Sequence, residues 1–338
     1  MCGACDYGPG DHGELSTDEW KAVIDSAVKL RVVLISMTGG EALLRKDLFE
    51  LIRYAVDSGI AVHLNSNATF LNDKIVDNLS EAGVDTLSVS IDSPIREEHE
   101  KIRGEGTFDK TVAGIKNVKQ RAPHIKIGLN SVVNTGNYKD LKQYIPLAKG
   151  LGVEQIKFMP IHTNLLQRDK AIDDYEEMIF TDKDVEDLDR EIVELHGAMQ
   201  ASGLVTTCKA FYKGMTSLFS PPDSNFYCYA GYATCVIDNR GYVGPCFEYD
   251  GTYSVRERPL EDIWASPAYA KLREKVRSCD RNCWDTTNAE ISLRFSIWNA
   301  VTDTGQLLHD LKYYLGKRKG AVLPESDGDG VVAEESAH

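Results

Sequence analysis

The stretch Val32-Val33-Leu34-Ile35-Ser36-Met37-Thr38-Gly39-Gly40-Glu41-Ala42-Leu43-Leu44-Arg45 decides how the rest of the chain is read. Residues 32–36 form a short, continuous apolar run of the kind buried in parallel sheets, and the run stops at a turn holding two adjacent glycines. Upstream, Ser16 and Glu19 stand at the spacing of a capping box, and Trp20, Val23, Ile24, Ala27 and Val28 follow at helical intervals. Downstream, Leu48, Leu51, Ile52 and Ala55 mark a helix stopped by Gly59, with a strand over 60–64. Ile75, Val76, Leu79 and Ala82 mark another, ending at Gly83 before a strand over 85–91. Two more pairs follow: a helix near 108–119 with a strand at 125–133, and a helix near 141–148 with a strand at 153–158. A helix–strand repeat of about 25–30 residues implies right-handed crossovers and a parallel sheet, curled into a full or partial β/α barrel.

In such barrels chemistry sits at the C-terminal ends of the strands. That rule selects Thr38-Gly39-Gly40-Glu41, Asn65-Ser66-Asn67, Ser90-Ile91-Asp92, Asn130 with Asn134, and Met159-Pro160. Any one of these alone reads as an ordinary turn, whereas five in succession point to a shared ligand site. Residues 162–181 are polar and acidic and read as a loop, followed by a helix near 185–199. Residues 208–284 hold six cysteines among glycines, prolines and aromatics. The expected organisation is a barrel over 1–205, a cysteine-rich domain over 206–290, a helical segment over 291–318 and a disordered tail over 319–338, where little can be buried.

Lys and Arg total 38 against 52 Asp and Glu, a formal charge of −14. That balance argues against nucleic-acid or anionic-membrane partners, which call for a basic footprint. No apolar run approaches the roughly 18–20 residues that span a bilayer, and no signal peptide is recognisable, so a cytoplasmic location is expected. The eight cysteines are Cys2, Cys5, Cys208, Cys228, Cys235, Cys246, Cys279 and Cys283. Two distant clusters separated by a cysteine-free stretch suggest metal or iron–sulfur ligation rather than a disulfide scaffold.

Met37-Thr38-Gly39-Gly40-Glu41 resembles the Gly-Gly-Glu-Pro segment of the radical S-adenosylmethionine (radical SAM) superfamily, with Ala42 in place of proline. Ser90-Ile91-Asp92-Ser93-Pro94 and His99-x-x-x-Arg103-Gly104 follow at that family's spacing, and Ser66-Asn67-Ala68 stands where the family often has Thr-Asn-Gly. The resemblance implies a partial (β/α)6 TIM-like barrel lacking its first strand. It implies that Gly39, Gly40 and Glu41 hold the methionyl amino group of S-adenosylmethionine and that Ser90 and Arg103 meet its carboxylate. Arg103 could equally form a surface ion pair with Glu100 or Glu105. Ser66, Asn67, Asp92 and Met159 complete the implied cofactor site. The defining Cys-x3-Cys-x2-Cys motif holds three irons of a [4Fe–4S] cluster and leaves the fourth open to S-adenosylmethionine. Here the chain starts Met1-Cys2-Gly3-Ala4-Cys5, so the remaining ligands are expected upstream of Met1, as for a fragment or a start assigned too late. Cys2 is a ligand in either possible register, and Cys5 in one of them.

Cys228-x12-Gly241-x4-Cys246, followed by Cys279-x3-Cys283, resembles the SPASM or shorter twitch auxiliary-cluster domains. Five cysteines suit one auxiliary [4Fe–4S] cluster, with Cys228, Cys246 and Cys283 as ligands and Cys279 or Cys235 as the fourth. Cys208 lies outside the motif and reads as structural. A zinc ribbon or non-catalytic iron–sulfur protein is the alternative of another class. The resemblance implies reductive cleavage of S-adenosylmethionine to a 5′-deoxyadenosyl radical, then hydrogen abstraction from a peptide or protein substrate. An oxidoreductase or epimerase acting on a sugar or other small molecule is the runner-up, and ferredoxin or flavodoxin is the expected electron donor. An Asp follows Pro-Cys in the sulfatase-maturing branch. Phe247 stands there in this chain, which disfavours that activity unless Glu248 substitutes.

Overall fold

The computed structural model describes residues 13–162, 176–219, 226–279 and 283–296, with Trp298, Asn299, Thr304 and Leu308. The first helix, α1 (Thr17–Lys29), begins at the capping box: Glu19 N donates to Ser16 Oγ at 3.3 Å and Ser16 N to Glu19 Oε2 at 2.7 Å. Then come β1 (Leu34–Met37), α2 (Leu48–Asp57), β2 (Ala61–Ser66), α3 (Asp73–Ala82) and β3 (Thr86–Ser90). They are followed by α4 (Arg96–Arg103), α5 (Thr107–Arg121), β4 (Lys126–Val133), α6 (Tyr144–Leu151) and β5 (Gln155–Pro160). The five strands pair in parallel and in chain order, so each crossover steps to the next strand of one curling α/β sheet.

Side chains alternate across a sheet with period two, and the register therefore sorts every strand residue onto a face. Leu64, Leu87, Val89, Ile127, Ile156 and Phe158 are at most 1% exposed and join the helix-side core. The opposite, luminal face carries polar rows. Ser36 pairs with His63 and His63 with Thr86; Asn65 pairs with Ser88; Ser90 pairs with Asn130 and Asn130 with Lys157.

The apolar run at 32–36 forms a strand but not a buried one. Val33 is 74% exposed and Leu34 48%. The reason is position: β1 is the outer edge of the described sheet, with no strand beyond it among the described residues. Helix α4 also escapes the periodicity reading, because Arg-Glu-Glu-His-Glu-Lys-Ile-Arg buries only His99.

After β5, α7 (Asp182–Ser202) starts from the capping box of Thr181 and Asp184. Residues 163–175 of the expected loop, and all of 319–338, lie outside the described residues. The cysteine-rich part contains α8 (Lys209–Gly214), an antiparallel pair β6 (Val236–Ile237) and β7 (Val243–Gly244), then α9 (Leu260–Ala265), α10 (Pro267–Arg277) and α11 (Ala289–Arg294). A second core of Leu15, Val23, Val243, Leu260, Ile263, Tyr269 and Leu272 lies under it, so α1 sends Val23 there and Ile24 and Ala27 into the barrel core. Trp284 joins the cysteine-rich part to the barrel core: its Nε1 donates to Phe211 O at 2.8 Å, and its ring lies against Gly214. Among the described residues no helix is long and apolar enough to cross a membrane.

A Cβ added at Gly214 would fall 2.1 Å from the Trp284 ring, whereas one at Gly197 in α7 meets nothing within 4 Å. Gly214→Ala is expected to destabilise by about 1–3 kcal/mol through overpacking. Gly197→Ala should instead gain up to ~1 kcal/mol from helix propensity. Urea denaturation of both variants checks the pair, and equal effects would contradict the packing described.

Candidate functional site

The turn after β1 is braced by its own carboxylate. Glu41 Oε1 accepts from Leu43 N at 3.2 Å and Ser66 Oγ at 2.9 Å, and Oε2 accepts from Asn67 N at 2.8 Å. Glu41 thus ties the end of β1 to the end of β2, with both oxygens engaged by this chain. Ser66 Oγ also accepts from Ala68 N at 2.9 Å, and Asn67 O accepts from Thr111 Oγ1 of α5 at 2.9 Å. Gly39 has φ +154°, a backbone that residues with a side chain rarely adopt, and a Cβ at Gly39 or Gly40 would meet nothing within 4 Å. The braced turn is therefore uncrowded at the positions where side chains would stand.

Beyond β3 the implied cofactor residues are engaged with one another. Arg103 Nε donates to Asp92 Oδ2 at 2.5 Å, and Asp92 is only 3% exposed, so this edge of the guanidinium is held by a carboxylate of the chain itself. The alternative partners Glu100 and Glu105 do not take that edge. Asp92 N donates to His99 Nδ1 at 3.2 Å, Asn137 Nδ2 donates to Asp92 O at 2.7 Å, and Asp92 Oδ1 is buried without a hydrogen-bond partner. Burial holds His99 neutral, with its pKa pushed down to about 4, and burial together with the Lys157 charge does the same to His63. Ser90, Asn130 and Lys157 form one luminal row, and Met159 follows two residues on along β5. Asn134 is a turn builder: its Oδ1 accepts from Gly136 N at 2.8 Å and its Nδ2 donates to Val132 O at 3.1 Å.

A second locus lies in the cysteine-rich part. Cys228, Cys246, Cys279 and Cys283 line one cavity of about 70 Å³, with Glu248 and Arg277 also in its wall. Burial pushes the Cys246 thiol up to about 11 and raises Cys228 and Cys283 as well, Asp285 adding to the last two. Among the described residues no three His, Cys, Asp or Glu side chains meet around a single metal ion position. Gly241 keeps the hairpin before Cys246 closed: it has φ +92°, and a Cβ there would sit 2.8 Å from Val255 Cγ2. Cys235 belongs elsewhere. It packs against the second core, faces Arg273, and is pushed up to about 11 by burial. Arg273 in turn donates from Nε to Gly231 O at 2.6 Å and stacks 4.4 Å from the Trp264 ring. Cys208 is a buried thiol, pushed up to about 12, whose N–H donates to Glu290. Cys2 and Cys5 lie outside the described residues.

Sequence reasoning passed over Lys157, a lone charge inside the apolar run Ile156-Lys157-Phe158-Met159. It also passed over His162, which is 6% exposed, donates to the Trp284 carbonyl and faces Asp285 and Glu248.

Residues 1–148 match the profile of the Radical SAM superfamily, and residues 228–285 match an iron–sulfur cluster-binding domain, SPASM. An AdoMet-dependent heme synthase of Methanosarcina barkeri is 30% identical over 78% of this chain and 77% of its own length. The PqqA peptide cyclase of Granulibacter bethesdensis is 28% identical over 79% of this chain and 72% of its own. Among solved structures, Streptococcus suis SuiB bound to its precursor peptide SuiA superposes with TM-score 0.61 at 16% identity, covering 81% of this chain and 63% of that one. Native anSMEcpe with bound AdoMet gives 0.62 at 15% identity over 80% of this chain and 78% of that one. At such identities the likeness to both structures is one of fold.

The two neutral histidines give stability a pH dependence of defined sign. The unfolded chain takes up protons near pH 6.5 that native His63 and His99 refuse until about pH 4, so stability falls as pH drops through that window. The thermal midpoint should decline from pH 7 to 4.5, and less steeply in His99→Asn, whose amide oxygen can still accept from Asp92 N. Identical slopes would show that His99 does not contribute.

Proposed function

This chain belongs to the radical SAM superfamily, and from that premise we propose that it abstracts a hydrogen atom from a side chain of a peptide or protein. It is an enzyme whose cofactors are S-adenosylmethionine and [4Fe–4S] clusters, the zinc-ribbon and non-catalytic readings giving way to the two matched domains. One observation carries the reading: the same chain combines a diglycine turn, uncrowded where side chains would stand, at the strand ends with four thiols lining one cavity. When bound, the reduced cluster supplies one electron to the sulfonium of S-adenosylmethionine, releasing the 5′-deoxyadenosyl radical.

The residues take the following parts. Gly39 and Gly40 admit the methionyl amino group to backbone, and Glu41 holds the turn rigid from behind. Ser66, Asn67, Ser90, Asp92 and Met159 wall the cofactor, with Arg103 held beside them by Asp92. Cys228, Cys246, Cys279 and Cys283 would hold the auxiliary cluster through their thiolates, and Cys235 is a core thiol. Cys2 ligates the catalytic cluster, with Cys5 in one of two registers. The barrel spans 1–205, the cysteine-rich domain 206–290, the helical segment 291–318 and the tail 319–338. A ferredoxin or flavodoxin delivers the electron.

The peptide assignment is supported by the peptide cyclase among the relatives and by the peptide-bound fold neighbour. A second reading, a side chain of an iron tetrapyrrole, is favoured by the heme synthases and the Fe-coproporphyrin III synthase among the relatives.

Anaerobic reconstitution with iron counting tests the ligand set. Cys246→Ala and Cys279→Ala should each lose up to about four irons, a whole [4Fe–4S] cluster, while Cys235→Ala keeps the full complement. Equal losses in Cys235→Ala and Cys246→Ala would refute the assignment. A 5′-deoxyadenosine assay with candidate peptides and with iron coproporphyrin then separates the two substrate readings, and no deoxyadenosine with reductant and either substrate would defeat both.

Binding of S-adenosylmethionine can be followed separately by calorimetry. Glu41→Ala removes the acceptor for three hydrogen bonds, and affinity is expected to fall about tenfold while the far-ultraviolet spectrum stays native. Unchanged affinity would remove the turn from the cofactor site.

A further inference from the structure

We propose that the barrel lumen contains a carboxylate-binding subsite built on Lys157, and that the carboxylate it takes belongs to the substrate. Lys157 stands on the luminal face of β5 in register with Asn130, which is in register with Ser90. Neighbouring residues in register point the same way, so the three side chains form one row near the strand ends. No Asp or Glu lies on the luminal face of any of the five strands, and Lys157 makes no ion pair among the described residues. Lys126 shares this face but opens β4 four residues earlier, roughly 13 Å nearer the far end.

Two further observations place an anion beside Lys157. Asn130 Oδ1 is buried without a hydrogen-bond partner. A half-turn of that amide would present N–H at the same point, completing a donor pair with the ammonium. The Lys157 charge also acts on His63, two register rows away on the same luminal face. A cation among neutral polar groups has no fixed counter-charge beside it, and a carboxylate ligand supplies both charge and acceptors. The nearby guanidinium of Arg103 is already paired with Asp92.

Distance separates substrate from cofactor. The proposed cofactor reading puts the methionyl amino group at Gly39-Gly40, after β1, and the inference rests on that placement. Lys157 is on β5, four strand spacings of roughly 4.8 Å away around the sheet. Amino and carboxylate groups of one amino acid share a carbon, so a methionine whose amino group sits at Gly39-Gly40 brings its carboxylate no farther than Ser90 and Arg103, and only the adenosyl end extends toward Met159 on β5. The ligand class is therefore a substrate bearing a carboxylate, either an acidic peptide side chain or a tetrapyrrole propionate.

Binding measurements on the reconstituted full chain test this without turnover. One probe pair is coproporphyrin III and its tetramethyl ester, followed by absorbance. The other is a fluorescent peptide with a single glutamate and its glutamine counterpart. The wild type should prefer the carboxylate member of at least one pair by about tenfold, and the pair that discriminates names the source. Lys157→Met should abolish the preference, Lys157→Arg should retain it, and S-adenosylmethionine affinity by calorimetry should be unchanged in both. Lys157→Gln serves if the methionine variant does not fold. The proposal is overturned if neither pair discriminates, or if discrimination survives Lys157→Met. A loss of S-adenosylmethionine affinity with unchanged probe binding would assign the subsite to the cofactor and overturn it equally. Failure of the radical SAM reading would appear instead as missing deoxyadenosine, which these titrations do not measure.

Discussion

Parallel pairing in chain order is the constraint on which the candidate site depends. Once β1 to β5 step sideways one strand at a time, period-two alternation leaves no freedom in which residues share the lumen. A slip of one residue in β5 would exchange Lys157 for Phe158 and empty the helix-side core of its largest strand side chain. The apolar face thus enforces the register, and the register delivers the polar row. The Glu41 brace then adds what the sheet cannot supply, since hydrogen bonds of the ladder end at the strand termini. By accepting from Ser66 and Asn67, one carboxylate converts two separate strand ends into a single surface.

The cysteine-rich part depends on a different kind of fixation. Its strands are two residues long and three of its four helices six, and beyond the core under α9 and α10 much of its definition comes from close packing at few points. Gly241 and Gly231 adopt left-handed backbone where Val255 and Pro245 crowd the missing Cβ. Trp284, next in sequence to Cys283, fixes the segment to the barrel through its ring against Gly214 and its carbonyl against His162. Position of the thiols is therefore set from outside the thiols themselves. With acidic neighbours and raised thiol pKa values, Cys228, Cys246 and Cys283 favour protonated sulfur until a cationic centre compensates them.

Much of this was legible in the sequence because local signals and burial agree there. Gly59 and Gly83 end helices where expected, and the Ser16–Glu19 box starts one. The legible part of the site was its glycines and cysteines, whose backbone and ligand chemistry depend little on context. What escaped depends on partners distant in the chain. The strand character of β1 was visible but its exposure was not, because exposure is a property of what lies beside a strand. Arg103 stood out by its motif, yet its engagement by Asp92 needs the turn after β3 and the end of α4 to meet. Cys235 and Cys279 could not be ranked by spacing, since only the fold shows that one faces Arg273 and the other the common cavity. Lys157 was hidden by its own neighbours, being a single charge in a strand whose other residues advertise a core.

Helix α1 is shared between two cores whose other members lie far apart in sequence. Arg256 grips its start, donating to Gly13 O and Glu14 O at 2.8 Å each and to Glu19, while Lys29 at its end reaches Glu261. During synthesis the barrel side of α1 can be covered early, but Leu15 and Val23 must wait for Val243, Leu260 and Tyr269. At ordinary translation rates that interval is roughly 10–40 s. For that time a nascent chain carries an uncovered apolar stripe on an otherwise formed helix. A part of the chain made late is thus the one that closes the second face of the first helix.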